Sequence, residues 1–425
     1  MKKFSLVATA VLGLISTTAM AQSNVTIYGI LDGGVSYVSG LKNGNQTAVV
    51  SGIMDGSRFG LRGTEDLGDG YKAIFTLENR LELDTGSVTN RAISGTQLPD
   101  RFVNANLLVP TFSAAQQAGL QPLFNGIAAA VGGGVGVNLA GNLFDRQAFA
   151  GLVTPFGAFT LGRQYTPGYL VGATFDASQT QSSLAAGQVA SFPGAFDIRL
   201  SNTVQYAIQT NGVTGTLMYG AGEVAGDNAK SRFYGGMVIY KTEAFSLGFG
   251  HNERKNSLAQ SSLTDNVFGA SVQVGPGTLY GQYATVKDEN PETLVAISPS
   301  IAANAAAFTA AGTSVAAISQ AYSNAFRLDG RLMHVGYKMS TGPHTVVVAY
   351  NRYDDKRPNN ADVTSYGFTY SYSLSKRTSL NGVVTRFNNS GLAQAAPGQA
   401  GFLGGVTSTA GTGSTNVAMG INHKF

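Results

Sequence analysis

Along the chain, hydrophobic and polar residues alternate in short, repeated runs. Over 25–38, Val25, Ile27, Leu31, Val35 and Tyr37 share one parity with two glycines, while Thr26, Asp32 and Ser36 take the other. A period of two marks a strand with one apolar and one polar face. A polar, Gly-rich stretch (39–56) follows, and the pattern returns over 57–65, with Phe59, Leu61 and Gly63 opposing Arg58, Arg62 and Thr64. The tight turn Asp66-Leu67-Gly68-Asp69-Gly70 leads into 71–83. There Ala73, Phe75, Leu77, Leu81 and Leu83 oppose Lys72, Thr76, Glu78, Arg80 and Glu82. Further strands are expected at 144–153, 158–162, 199–209, 213–221, 232–241, 244–254, 265–274, 278–287, 331–339, 344–353, 363–373, 378–387 and 415–425. Asn211-Gly212 between two alternating runs is a hairpin signal.

These are 16 strands whose long and short connections alternate strictly, as in an antiparallel meander with every long loop at one end. The charged face recurs from strand to strand and needs water. A soluble sandwich would bury its apolar faces, whereas a bilayer demands that every backbone group be paired, which strands achieve only as a closed barrel. An even strand number with short inner turns and long outer loops fits the outer-membrane type, and 16 strands leave an aqueous lumen. The expectation is an all-β, 16-stranded antiparallel transmembrane β-barrel. The third long connection, from Arg163 to Arg199, has no clean period and carries Tyr165-Thr166-Pro167-Gly168 and Phe192-Pro193-Gly194. Loops of this length are functional or disordered, and this one reads as folding into the barrel to narrow a pore. Two Ala-rich outer segments, 112–139 and 293–325, read as surface loop with a short helix as the alternative, and neither as a separate domain.

Composition sharpens the picture. Charged residues are 12% of the 425, Gly numbers 55, and 18 Tyr and 23 Phe supply material for aromatic girdles. There is no Cys, hence no thiolate ligand and no disulfide framework. Lys2-Lys3, the apolar run 4–15 and Ala19-Met20-Ala21 form a signal-peptide pattern too short to span a bilayer. Residues 1–21 are therefore expected to be a cleaved signal peptide, and 22–425 the barrel domain. Loss of two lysines takes the net charge from +4 to +2, which gives no footing for a nucleic-acid partner.

Several stretches resemble the trimeric general porins of Gram-negative bacteria, in particular the Neisseria and Burkholderia type. They are Val-Thr-Ile-Tyr-Gly at 25–29, Ser-Arg-Phe-Gly-Leu-Arg-Gly-Thr-Glu-Asp-Leu-Gly-Asp-Gly at 57–70, Asp-Arg-Gln-Ala-Phe-Ala-Gly-Leu at 145–152, Leu-Gly-Arg-Gln-Tyr at 161–165, and Phe425. The resemblance implies an outer-membrane location, passive diffusion of small hydrophilic solutes and ions, and a homotrimer set in lipid and lipopolysaccharide. It also implies a third outer loop folded inward at mid-barrel, and Phe425 as a signal to the outer-membrane assembly machinery. The chain departs from the family pattern at 84–143, a longer second outer loop of unassigned role.

Arg58, Arg80, Arg146 and Arg199 fall on the lumen parity, each at a similar distance from its nearest inner turn. The resemblance places Arg58, Arg146 and Arg199 in a basic cluster at the constriction. Guanidiniums keep their charge at any working pH, so the cluster is expected to give a modest anion preference. Each could also be a solvated charge or pair with Glu78, Glu82 or Asp32. Arg163 has the wrong parity and is left to a bulge, a subunit contact or the loop base. Asp176 is read either across the pore from the arginines or in hydrogen bonds within its own loop. No catalytic residue, metal site or cofactor is expected. His251, His334, His344 and His423 are scattered, and Gly220–Ala225 mimics a nucleotide fingerprint without the helix that should follow. A substrate-specific channel, a secreted β-rich binding module and an outer-membrane hydrolase are the alternatives.

Overall fold

The computed structural model describes residues 24–180, 197–399 and 403–425. The expected signal peptide and the middle of the third long connection lie outside the described residues. Among those described there are 19 strands: β1 (Asn24–Val38), β2 (Gln46–Ser51), β3 (Arg58–Gly68), β4 (Tyr71–Arg80), β5 (Gln147–Thr154), β6 (Gly157–Tyr165), β7 (Arg199–Thr210), β8 (Val213–Gly220), β9 (Phe233–Lys241) and β10 (Phe245–Lys255) in the first part of the chain. There follow β11 (Ser261–Val274), β12 (Gly277–Asp288), β13 (Leu328–Thr341), β14 (His344–Asp355), β15 (Val363–Ser373), β16 (Thr378–Asn389), β17 (Ala395–Gln399), β18 (Leu403–Val406) and β19 (Ser414–Lys424).

Each barrel strand pairs antiparallel with its neighbour, and β19 returns to β1 in the register Ile30↔Lys424 through Val38↔Asn416. The ring has 16 positions, because β2 and β3 share one. β3 pairs with the first half of β1 and β2 with the second. Residues 46–51, expected within the 39–56 loop, instead form a strand piece. The break at 52–57 is held by Asp32, whose carboxylate accepts from the backbone N–H groups of Ile53 (2.8 Å), Met54 (3.2 Å) and Asp55 (3.0 Å) and from Asn422 Nδ2 (2.7 Å). That loop brings Asp55 beside Arg58.

The two faces follow from parity. Val25, Ile27, Leu247, Phe268, Val335, Tyr366, Phe368 and Met419 are exposed on the outside. Asp32, Ser36, Thr76, Glu78, Gln205, Asn252, Asn351 and Thr369 are buried on the inside. This is the inverse of a soluble sheet and suits strands bathed in lipid.

The Ala-rich loops are also corrected. They fold into α1 (Ala105–Leu108) and α2 (Ala114–Gly133) in the second long connection, and into α4 (Glu292–Ala303), α5 (Ala305–Ala310) and α6 (Val315–Phe326) in the sixth. Ser113 starts α2 in a reciprocal capping box with Gln116. These helices share one apolar core rather than standing free as surface loops. α3 (Pro167–Phe175) opens the third long connection.

Candidate functional site

Arg58 and Arg80 are direct cross-strand partners on β3 and β4, and Tyr165 on β6 pairs with Arg199 on β7. Like charges opposite each other repel, so this wall holds together only because carboxylates are threaded between the guanidiniums. Arg58 donates Nε to Gly56 O (2.8 Å) and pairs with Asp55. Arg80 reaches Asp145 and Glu82, both at 3.3 Å. Arg146 donates Nε to Glu78 Oε1 (2.7 Å), and Tyr28 donates its hydroxyl to Glu78 Oε2 (3.0 Å). Tyr165 then links two positive charges: its hydroxyl oxygen accepts from Arg146 Nη2 (3.2 Å) and from Arg199 Nη2 (2.9 Å). The Arg199 guanidinium lies 4.5 Å from the centre of the Tyr165 ring.

Exposure grades this wall. Arg80 and Arg146 are 2% and 0% exposed, Arg58 is 8%, and Arg199 is half-buried. Arg62, on the same parity of β3, is exposed and stacks on Tyr28 with its guanidinium carbon 5.2 Å from the ring centre. The structure therefore brings Arg58, Arg80, Arg146 and Arg199 onto one wall between β3 and β7, with the first three buried and Arg199 half-buried. Glu82, in the connection after β4, has its carboxyl raised by burial, opposed by the Arg80 charge.

Arg163 sits at a bulge, where the β6–β7 register slips between Gly162 and Gln164. Gly162 has φ +133°, and a side chain there would run into the Ala148 carbonyl. Opposite Ala148 on β5, Arg163 donates Nε to Asp145 O (2.5 Å) and Nη1 to Ser201 Oγ (3.1 Å).

The third connection leaves this wall and lies on another. α3 packs on β9, β10, β11 and β12. Gly168 N–H donates to Asn252 Oδ1 (3.0 Å), and Gln282 Nε2 donates to Gly172 O (2.8 Å). Both partners are inward-facing side chains, so 167–180 lies inside the barrel. Phe175 is fully buried, and a Cβ at Gly248 or Gly269 would overlap its ring. Beyond the helix, Ala177 N–H donates to His334 Nε2 (3.1 Å), which leaves the ring proton on Nδ1 to be donated to Asn351 Oδ1 (2.8 Å).

Asp176 thus stands near β13, across the ring from Arg80 on β4. Its carboxylate is 2% exposed and accepts from Ser178 Oγ (2.7 Å) and Ser178 N (3.2 Å). Burial raises its pKa well above the usual carboxylate range, against those two hydrogen bonds. Asp197, at the other end of the connection, pairs with Arg254 at 2.8 Å. Among the described residues, no group of three or more His, Asp or Glu is placed to hold a metal.

Sequence reasoning missed three members of the arginine wall. Tyr165 and Asp145 both lay inside stretches carrying the family resemblance, and Asp55 lay in a loop whose fold depends on Asp32. Nothing in alternation marks a tyrosine as the bridge between two arginines.

An outer membrane porin protein of Bordetella pertussis is 40% identical over 101 residues, which are 20% of this chain and 26% of that protein. The chain thus matches about a quarter of that relative. Outer membrane porin protein 32 of Delftia acidovorans is 27% identical over 445 aligned residues, covering both proteins entirely. The solved anion-selective porin from Comamonas acidovorans superposes with a TM-score of 0.65 at 24% identity, covering 95% of this chain and 100% of that one. A Gram-negative porin family model matches residues 8–392. With a closed 16-position barrel, a lipid-type outer face and a polar interior, the chain belongs to the Gram-negative porin family of outer-membrane channel proteins.

Proposed function

We propose that the protein is a general diffusion channel for small hydrophilic solutes with a modest preference for anions, set by Arg58, Arg80, Arg146 and Arg199. The observation that carries this reading is the arginine wall. Five guanidiniums on the lumen parity (Arg58, Arg62, Arg80, Arg146, Arg199) face four carboxylates (Asp55, Glu78, Glu82, Asp145) around it. The excess is positive but small, which argues for preference rather than exclusion. Rings of Arg or Lys are a known route to anion selectivity. Arg62 and Arg199 are the members most open to the lumen; Arg58, Arg80 and Arg146 act through the field and by holding the others in place. Asp176, buried with a raised pKa, serves to seat the third loop. The solved porin from Comamonas acidovorans, whose fold this chain shares, is anion-selective, in keeping with this reading.

The family and fold are those of channels rather than enzymes. The resemblance supports a homotrimer in lipid and lipopolysaccharide, recruited to its assembly machinery through Phe425. In the described barrel Phe425 extends the β1–β19 seam, exchanging backbone hydrogen bonds with Gly29 (3.1 and 3.2 Å). A planar-bilayer recording across a salt gradient tests the proposal. Discrete current steps with a reversal potential on the anion side support it; no steps, or a clear cation preference, rejects it.

A further inference from the structure

The second and sixth long connections leave the barrel at opposite points of the rim. Between them lie eight strands on one side, β5 to β12, and eight on the other: β13, β14, β15, β16, β19, β1, β3 and β4. Two loops so placed meet only by crossing the mouth, and these two share a core. Leu120 and Phe124 of α2 pack with Ile301 of α4, Phe308 of α5, and Ile318 and Tyr322 of α6. Phe102 stacks on Phe326 at 4.6 Å, and Gln116 Nε2 donates to Ala311 O (3.1 Å). α2 has 20 residues, a rod about 30 Å long.

The span is tied down along one half of the rim, and on the other only at its foot, where Glu292, the first residue of α4, accepts from Ser257 Oγ (2.6 Å) and Ser257 N (2.9 Å) of the fifth connection. Lys42 of the first connection pairs with Asp100 at 2.7 Å. Arg101 Nη1 donates to Leu392 O of the last connection (3.1 Å), and Arg357 Nη1 of the seventh donates to Ala325 O (3.1 Å). Charge stops at these ties: no Asp, Glu, Lys, Arg or His occurs from Phe102 to Phe144 or from Thr293 to Phe326.

We propose that this uncharged helical cap is a size filter at the outer mouth, separate from the charged wall below that sets ion preference. A span across the mouth narrows the entrance for every solute. An uncharged one adds no preference between cations and anions. Entry is left to the side of β7 to β9, where the connection 221–232 makes no hydrogen bond or ion pair to the cap among the described residues. This assigns a role to the long second loop, which builds the cap with the sixth loop of the same chain. The inference rests on the channel reading.

Liposome swelling with sugars from mono- to tetrasaccharide, read beside reversal potential on the same preparations, tests it. One variant replaces 293–326 with a short Gly-Ser linker. A second, Phe124→Asn, puts an uncharged, unpaired polar group into the cap core of the full-length chain. Both are first checked for a folded barrel by resistance to SDS without heating, and if the linker variant fails to assemble, Phe124→Asn decides. The tetrasaccharide rate relative to the monosaccharide rate should rise several-fold, with reversal potential unchanged. An unchanged rate ratio in a folded variant overturns the filter, as does a shifted reversal potential. If the parent protein itself passes no monosaccharide, it is the channel reading that fails.

Discussion

Replacing Phe175 by Ala should release the third loop from the inner wall. The ring is fully buried directly over the backbone of Gly248 and Gly269, beside Ile239. Those glycines belong to hydrogen-bonded strands β10 and β11, which cannot collapse into the space the ring leaves. The loss therefore sits in the usual range for a buried Phe→Ala change, about 3–5 kcal/mol. Since each 1.4 kcal/mol is tenfold, the balance between seated and released loop should shift by roughly a hundredfold or more. The hydrogen bonds to Asn252, Gln282 and His334 remain, so the variant should fluctuate rather than lose the seat altogether. Single-channel recording should show a steady open level in the parent and excess open-channel noise in Phe175→Ala. Gly269→Val, which fills the seat from the other side, should give the same phenotype. Parent-like noise and parent-like protease resistance of the loop in both variants would refute the seating of α3 on this wall.

Three other outcomes are expected. Glu78→Gln breaks the buried pair with Arg146, a change that costs about 3–5 kcal/mol, and removes one of four carboxylates from the wall. The urea unfolding midpoint in detergent should fall while the reversal potential moves further toward anions; movement toward cations would contradict the charge count. Leu77→Arg, on the outer parity of β4, should cost about 2–4 kcal/mol near the bilayer midplane, read as reduced assembly or heat stability. An unchanged variant means that face is misassigned. Mature protein from outer membranes should begin at Gln22, and N-terminal sequencing that finds residues 1–21 retained rejects the cleavage site.

The barrel was legible because alternation is a local signal repeated in every strand. Asp32 and Ser36 against Val35 and Tyr37 already separate lumen from lipid. What alternation could not show is where a strand breaks. Gln46–Ser51 follows a Gly-rich loop, and its continuation depends on Asp32 gathering three amides from 52–57, a contact spanning more than twenty residues. The helices were hidden for a different reason. They carry no charged face, so their amphipathic period is weak, although Ser113 and Gln116 spelled out a capping box. The arginine positions followed from parity. Their burial did not, because Asp145, Glu78 and Tyr165 come together only when β4, β5 and β6 are paired. Tyr165 shows the limit of counting by twos: Arg163 keeps the outer parity opposite Ala148, but past the register slip at 162–164 Tyr165, two residues on, reaches the arginines of the inner wall.

Control of ion preference by the arginine wall is read in the reversal potential of a correctly assembled Arg58→Gln, Arg146→Gln, Arg199→Gln variant against the parent, in a low-salt gradient. Fixed charge acts across much of a narrow lumen, while the Debye length is about 8 Å at physiological salt and shortens as salt rises. The variant should move toward cation preference, and the difference from the parent should shrink at high salt. An unchanged reversal potential at low salt would contradict the account and place the selectivity elsewhere in the pore.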